Sequence, residues 1–341
     1  MVTIIAAVLI FGGIILFHEF GHFIVARVCG VTINEFSVGM GPAVWKKEKN
    51  GTLYAVRLLP IGGFVDMEGE SDDDENPTTD PNAFTKKPFW QRFLILVAGS
   101  FNNVLMGYII LIVLTVLNGY VGSTRVVVFD ENAVSSQYLQ YDDEITAING
   151  NRTRTAYDIT YEFLRDEDGL IDVTILRNGE KMTLPIQFAM EEQDGQQFIN
   201  LDFKVAAVKP TLTEYVTYPF NWSLSIVKEI WGSFIDLVRG RYAINQLSGP
   251  VGVVSAIGAA TEYGIKNLLL LAAYIAINIG VFNMLPLPIL DGGRIFIELF
   301  TTVFRGKTAK KIVQIAMSIS VGIVVFLMLY VTYNDIFKLI L

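Results

Sequence analysis

Four long apolar runs punctuate the chain, at roughly residues 2–27, 92–119, 267–290 and 312–333. Each matches the length of about 20 residues that a helix needs to cross the hydrocarbon core of a bilayer. The pattern therefore predicts four transmembrane helices. A fifth candidate, residues 219–238, divides by face. Asn221, Ser225, Lys228, Glu229, Gly232, Ser233 and Asp236 fall on one side, and Trp222, Ile226, Val227, Ile230, Trp231, Phe234 and Val238 on the other. That division predicts an amphipathic helix lying in the membrane interface, not a fifth span.

The polar stretches between the runs predict two further bodies. Residues 120–208 alternate apolar and polar positions, with Asn178-Gly179 as a hairpin turn between two strand-like runs and "YDITYEFLRD" as a short helix. This predicts a small β-rich domain. Between the first two spans, Asn50-Gly51 marks a second hairpin, covering about residues 34–69, whose flanks are glycine-rich and too apolar for a solvated loop. Strands at membrane depth must be buried in protein or line a watery cavity, so a re-entrant hairpin packed beside the active site is expected. The acidic run "SDDDENPTTD" (71–80) matches no calcium loop and reads as a solvated, mobile cytoplasmic loop. The chain thus organises as residues 1–119 (two spans and the hairpin), 120–208 (the β-rich domain) and 209–341 (the interfacial helix and two spans).

Composition agrees with a membrane protein. Of 341 residues, 52% are hydrophobic and only 18% charged, below the roughly 25% of soluble domains, and the mean hydropathy is +0.45. A net charge of −8 argues against a nucleic-acid partner. Cys29 is the single cysteine, so no internal disulfide forms. The N-terminus lacks a basic region and a small-residue cleavage site, so the first run reads as a retained span. Lys46, Lys47, Lys49, Arg57, Lys86 and Lys87 follow the first span, and Arg294, Arg305, Lys307, Lys310 and Lys311 follow the third. By the bias of cytoplasmic loops towards Lys and Arg, both loops face the cytoplasm. Both termini and residues 120–208 then lie on the outer side.

The chemistry sits in the first span. Both histidines of the chain occur in "HEFGH", residues 18–22. Four helical steps bring His18 and His22 to within about 40° in azimuth and one turn in height, so their imidazoles converge on one ion. Glu19 is then placed to act on water without being a ligand, the arrangement of H-E-x-x-H metalloproteases. Two satisfied core histidines are the alternative. In a bilayer, however, each ionisable group costs about 2.5–3.5 kcal/mol on the insertion scale, and three in one span require compensation. A catalytic zinc usually takes three protein ligands. With no third histidine, the best membrane-embedded donor is Asp291 in "NMLPLPILDGGR", at the end of the third span. With four spans, the first and third run in the same direction, and His18 and Asp291 both lie towards the cytoplasmic side.

On "HEFGH" in the first span and "NMLPLPILDGG" in the third, the sequence resembles the site-2 protease family of intramembrane zinc metalloproteases. The closest likeness is to the bacterial branch that cleaves membrane-anchored anti-sigma factors. The resemblance implies one Zn2+ per chain on His18, His22 and Asp291, with Glu19 as catalytic base. It also implies substrate-binding roles for Asn278 and Asn283. It makes residues 120–208 similar to a PDZ domain, although the family's glycines in a "GLQxGD"-like stretch are replaced in "YLQYDD" (138–143). A size filter is the expected role for that domain. The implied activity is endoproteolysis within the transmembrane segments of single-span proteins, such as anti-sigma factors or signal-peptide remnants, in a bacterial inner or plasma membrane. Gly62, Gly63, Phe64 and Val65, in "GGFVDMEG", form the hairpin edge expected to pair with the unwound substrate. Two rivals remain at this point: an ion-coupled transporter using the same side chains as a proton relay, and a non-catalytic scaffold.

Overall fold

The computed structural model describes residues 2–70, 78–193, 196–241, 247–304 and 307–340. The first half of the chain forms α1 (Val2–Val28), β1 (Ile33–Lys49), β2 (Thr52–Met67), α2 (Phe89–Asn118), β3 (Val121–Phe129), β4 (Glu144–Ile148), β5 (Asn151–Arg152) and α3 (Ala156–Arg165). There follow β6 (Leu170–Arg177), β7 (Glu180–Gln187), β8 (Met190–Gln193), β9 (Gln196–Ile199), β10 (Phe203–Val208), α4 (Glu214–Val238), α5 (Pro250–Glu262), α6 (Ile265–Asn283), α7 (Asp291–Val303) and α8 (Lys307–Ile340). These divide into two compact units, Met1–Ile110 with Ile230–Leu341, and Leu111–Glu229. Most of the expected acidic loop, residues 71–77, lies outside the described residues.

Four helical segments are long and apolar enough to cross a membrane: Val2–Val28, Phe89–Asn118, Ile265–Asn283 and Lys311–Lys338. α4 is not among them, as its two-sided pattern predicts. Small residues let these helices approach closely, as they do in membrane bundles. A Cβ on Gly21 of α1 would overlap the Ala98 carbonyl of α2, and one on Gly280 of α6 would fall 2.8 Å from the Ser100 carbonyl.

Two expectations need correction. The third span ends at Asn283, so Asp291 does not close it but opens α7. Pro286 and Pro288 lack amide donors and cannot continue a helix. The chain therefore turns through Met284–Leu290 before a new helix begins. Neither α7 nor α5 was foreseen. The hairpin is also more folded than expected. Asn50 and Gly51 form its turn with φ of 52° and 76°, and β1 pairs with β2 antiparallel at both ends, from Lys49↔Thr52 to Ile33↔Met67. Residues 35–38, however, also stand in step with 53–56, from Glu35↔Leu53 to Val38↔Val56. The hairpin tip thus folds back beside its own base, giving the lateral order 43–49, 52–57, 33–38, 63–67. Gly39, Gly41 and Gly62, all with positive φ, make the bends, and a Cβ on Gly39 would meet the Leu59 carbonyl at 2.5 Å.

This small sheet is anchored to the helices. Val31, Ile33, Val65, Met67 and Phe84 share one buried cluster with Phe23 and Ala26 of α1 and Ile95 and Leu96 of α2. Within the sheet, Arg57 donates to Glu35 at 2.5 Å and to the buried Ser37 hydroxyl at 2.8 Å. Residues 63–67 pair with β1 on one side. Among the described residues no strand pairs with their other edge.

The second unit carries a sheet of order β10-β3-β4-β6-β7, with β5 beside β4, over a core that includes Ile145, Ile159, Phe163, Val173, Phe188 and Phe203. β8 and β9 form a separate hairpin. The predicted turn at Asn178-Gly179 joins β6 to β7 in unbroken register. Thr155 and Asp158 cap α3 reciprocally. In "YLQYDD" the second replaced glycine is Asp142, which holds φ at 70°. Aspartate is among the few side chains that tolerate the left-handed region. The next residue, Asp143, is buried and accepts from the Gln140 amide and from Arg177.

Candidate active site

α1 places His18 and His22 on one face, and the first residue of α7 brings Asp291 to them. His18 Nε2 and His22 Nε2 are 3.2 Å apart, and Asp291 Oδ2 lies 3.2 Å from the first and 3.4 Å from the second. Three donors bound tetrahedrally at about 2.1 Å stand roughly 3.4 Å apart, so this triangle has the size a zinc ion requires. All three side chains are at most 14% exposed.

The outer ring nitrogens show the same fit. His22 Nδ1 donates to the Ile95 carbonyl at 2.7 Å, which leaves its Nε2 lone pair facing the cluster. His18 Nδ1 lies 3.3 Å from Asn103 Nδ2, while the buried Asn103 Oδ1 has no partner. Turning that amide over offers Oδ1 to His18 Nδ1–H. The orphaned oxygen is then satisfied, and the second Nε2 is also free for a metal, the usual outer-shell arrangement of metal-binding histidines. Two lone pairs and a carboxylate oxygen at these distances repel unless a cation lies between them. Ser100 Oγ also donates to Asp291 Oδ2, at 3.5 Å.

Glycines make the room. A Cβ on Gly99 of α2 would overlap the His22 ring and fall 2.8 Å from His18 Cε1. One on Gly63 would fall 3.0 Å from Glu19 Cγ and from the Ser37 carbonyl. Gly292 and Gly293 let the first turn of α7 lie directly on the carbonyls of Met284 and Leu287, and this seats Asp291.

A cavity of about 170 Å³ opens beside the triangle. Of the residues singled out from the sequence, His18, Glu19, His22, Phe64, Val65 and Asp291 line it. Gly62 and Gly63 belong to the same strand, with Gly63 against Glu19. Asn283, the last residue of α6, is half-buried and does not line the cavity. Asn278 is exposed on α6, turned away from the face on which Ala276, Ile277 and Gly280 are buried, and it too lies outside the cavity. Met67 falls in the quoted edge stretch, whereas sequence reasoning missed Ser100, Asn103, Leu96, Glu70 and Arg294. Of these, Asn103 carried a signal that could have found it: an amide in an apolar span needs a partner there.

Comparison with known proteins agrees with this arrangement. The family model for peptidase family M50 matches residues 6–327. A Fusobacterium nucleatum protein with a provisional zinc-metalloprotease name is 32% identical, over 99% of both chains. The zinc metalloprotease RasP of Bacillus licheniformis is 29% identical over 100% of both chains. The regulator of sigma-W protease RasP of Bacillus subtilis is 26% identical over 99% of both. Neither a transporter nor a scaffold finds support in these matches. The cofactor is Zn2+, the activity is that of a metalloendopeptidase, and the chain belongs to peptidase family M50, the site-2 protease family.

Proposed function

We propose that the chain cuts peptide bonds within the membrane, in the transmembrane segments of single-span proteins, as part of regulated intramembrane proteolysis. The observation that carries the reading is the triangle of His18, His22 and Asp291, in which both histidines stand on α1, a helix long and apolar enough to span a bilayer. In this reading those three residues hold the zinc and Glu19 is the catalytic base. When bound, the zinc polarises a carbonyl and makes water more acidic.

A peptide bond in a helix is sheathed by its own hydrogen bonds and must unwind before water can reach it. The unpaired edge of residues 62–67 offers a row of backbone donors and acceptors to the unwound strand. Phe64 and Val65 put that edge beside Glu19 and the triangle. Glu19 takes a proton from the attacking water as its oxygen adds to the carbonyl carbon. It then delivers the proton to the departing amine as the C–N bond breaks. Asn283, next to the break between α6 and α7, holds the substrate backbone or the developing oxyanion. Asn278, exposed on α6, is at most a contact for a substrate helix arriving alongside.

The relative named for sigma-W regulation suggests anti-sigma factors as a substrate class, with signal-peptide remnants as a second. The Lys and Arg distribution supports an active site towards the cytoplasm, with both termini and residues 120–208 outside a bacterial plasma or inner membrane. The outer domain acts as a PDZ-like size filter.

The test uses purified protein in bilayers with a single-span reporter. Glu19→Gln is expected to keep one zinc per chain and to lose cleavage by at least about 100-fold. His18→Ala and Asp291→Ala are expected to lose both zinc and cleavage. Proteolysis by Glu19→Gln would remove Glu19 as the base.

A further inference from the structure

The cavity beside the triangle holds two charged side chains to which the proposed chemistry gives no task. Arg294 Nη1 donates to Glu70 Oε1 at 2.5 Å, and both residues line the cavity. Arg294 sits one turn beyond Asp291 on α7. Glu70 ends the turn that follows the edge strand, its amide donating to the Met67 carbonyl at 3.1 Å. That turn is tightly seated: Gly69 has φ of 73°, and a Cβ there would lie 2.8 Å from Ala83 Cβ.

The two sides of the edge strand are held differently. Its inner side is bound to residues 33–38 through the sheet. Towards the triangle, the Glu70–Arg294 pair is the only ion pair among the described residues that ties the end of β2 to α7. A half-exposed ion pair adds little to stability, and Arg294 is 39% exposed. What this pair can fix is a distance. A strand added to a sheet lies about 4.8 Å from its neighbour, and a slip of one residue turns every side chain to the opposite face.

We infer that Glu70 and Arg294 are positioning residues, which set the gap between the edge strand and the start of α7 and so the register in which an extended substrate meets the triangle. The inference rests on the proposed reading of residues 62–67 as the substrate-receiving edge.

The experiment maps cleavage sites by mass spectrometry on a single-span reporter, with full-length protein in bilayers and zinc measured in parallel. Glu70→Ala and Arg294→Ala are expected to spread cleavage from one bond to its neighbours. KM should rise about tenfold with kcat changed much less, the mark of lost ground-state positioning. Zinc content should be unchanged. Exchanging the charges, Glu70→Arg with Arg294→Glu, should restore the single bond. Glu70→Gln keeps the shape and loses the charge, so it gives an intermediate spread even if the alanine variants fail to accumulate. Wild-type cleavage sites and KM in Glu70→Gln and either alanine variant would overturn the inference. Loss of zinc from Glu70→Gln would overturn it too, because the pair would then be supporting the metal site. Failure of the underlying reading looks different: the wild-type protein would leave the reporter intact, or Glu19→Gln would cut it.

Discussion

At the scale of single residues, Asn103 decides more than its place in an apolar helix suggests. It is fully buried, beside His18, with one end of its amide unmet. Asn103→Leu keeps the branched shape and removes the acceptor for His18 Nδ1–H. It is expected to weaken zinc binding by about 10- to 100-fold, the usual cost of losing an outer-shell partner. Asn103→Asp, which keeps an acceptor, should retain most of the affinity, and competition with a chelator reads both. His18, Glu19, His22 and Asp291 were legible in the sequence because ionisable groups are costly in lipid and stand out against it. Their supports were not. The acceptor for His22 is a backbone carbonyl, which every residue has, and the space around both rings comes from Gly99, one of many glycines in the spans.

Among the elements, α8 shows how a long apolar helix is fixed to its neighbours. Most of its apolar stretch is not buried by the rest of the chain, yet Asp335 near its end is buried and accepts from the Gly249 and Gly252 amides at 2.9 and 2.7 Å. Those are free donors at the start of α5, so one helix caps another. Asp335→Ala leaves them unmet, at about 1–3 kcal/mol each. A lower unfolding midpoint in detergent is expected, with a smaller loss for Asp335→Asn. The sequence showed the four spans through length and apolarity, and the hairpin turn through Asn50-Gly51. It did not show α5 or α7, each of 13 residues, too short for a span and lacking the alternation of a strand. Nor did it show the folded-back sheet, because one asparagine-glycine pair marks a turn without saying where the two arms go next.

For the molecule as a whole, each unit has a core of its own. The buried cluster of the second unit is contributed by residues 126–203, and the capped α3 and the Asp143–Arg177 pair are internal to it. Residues 120–208 expressed alone are therefore expected to be soluble and to unfold in one cooperative transition, which circular dichroism against urea would show. A broad, non-cooperative loss of signal would mean that this core depends on the helices. The change from an apolar run to period-two alternation marked the expected start at residue 120, whereas the second unit, Leu111–Glu229, reaches past the expected end at 208 into the two-faced α4.

The triangle of His18, His22 and Asp291 draws on both ends of the chain, and this bears on biosynthesis. Asp291 lies 291 − 22 = 269 residues beyond His22. At translation rates of 5–20 residues per second, the ribosome needs roughly 13–54 s to travel from the second histidine to the aspartate. Over most of that interval the nascent protein has its first two spans but only two of the three cluster members. A chain truncated by a nonsense codon or a stalled ribosome stays in that state. In the proposed reading catalytic competence thus arrives late in synthesis, and a half-built copy, lacking Asp291, is inactive towards the membrane proteins being inserted beside it.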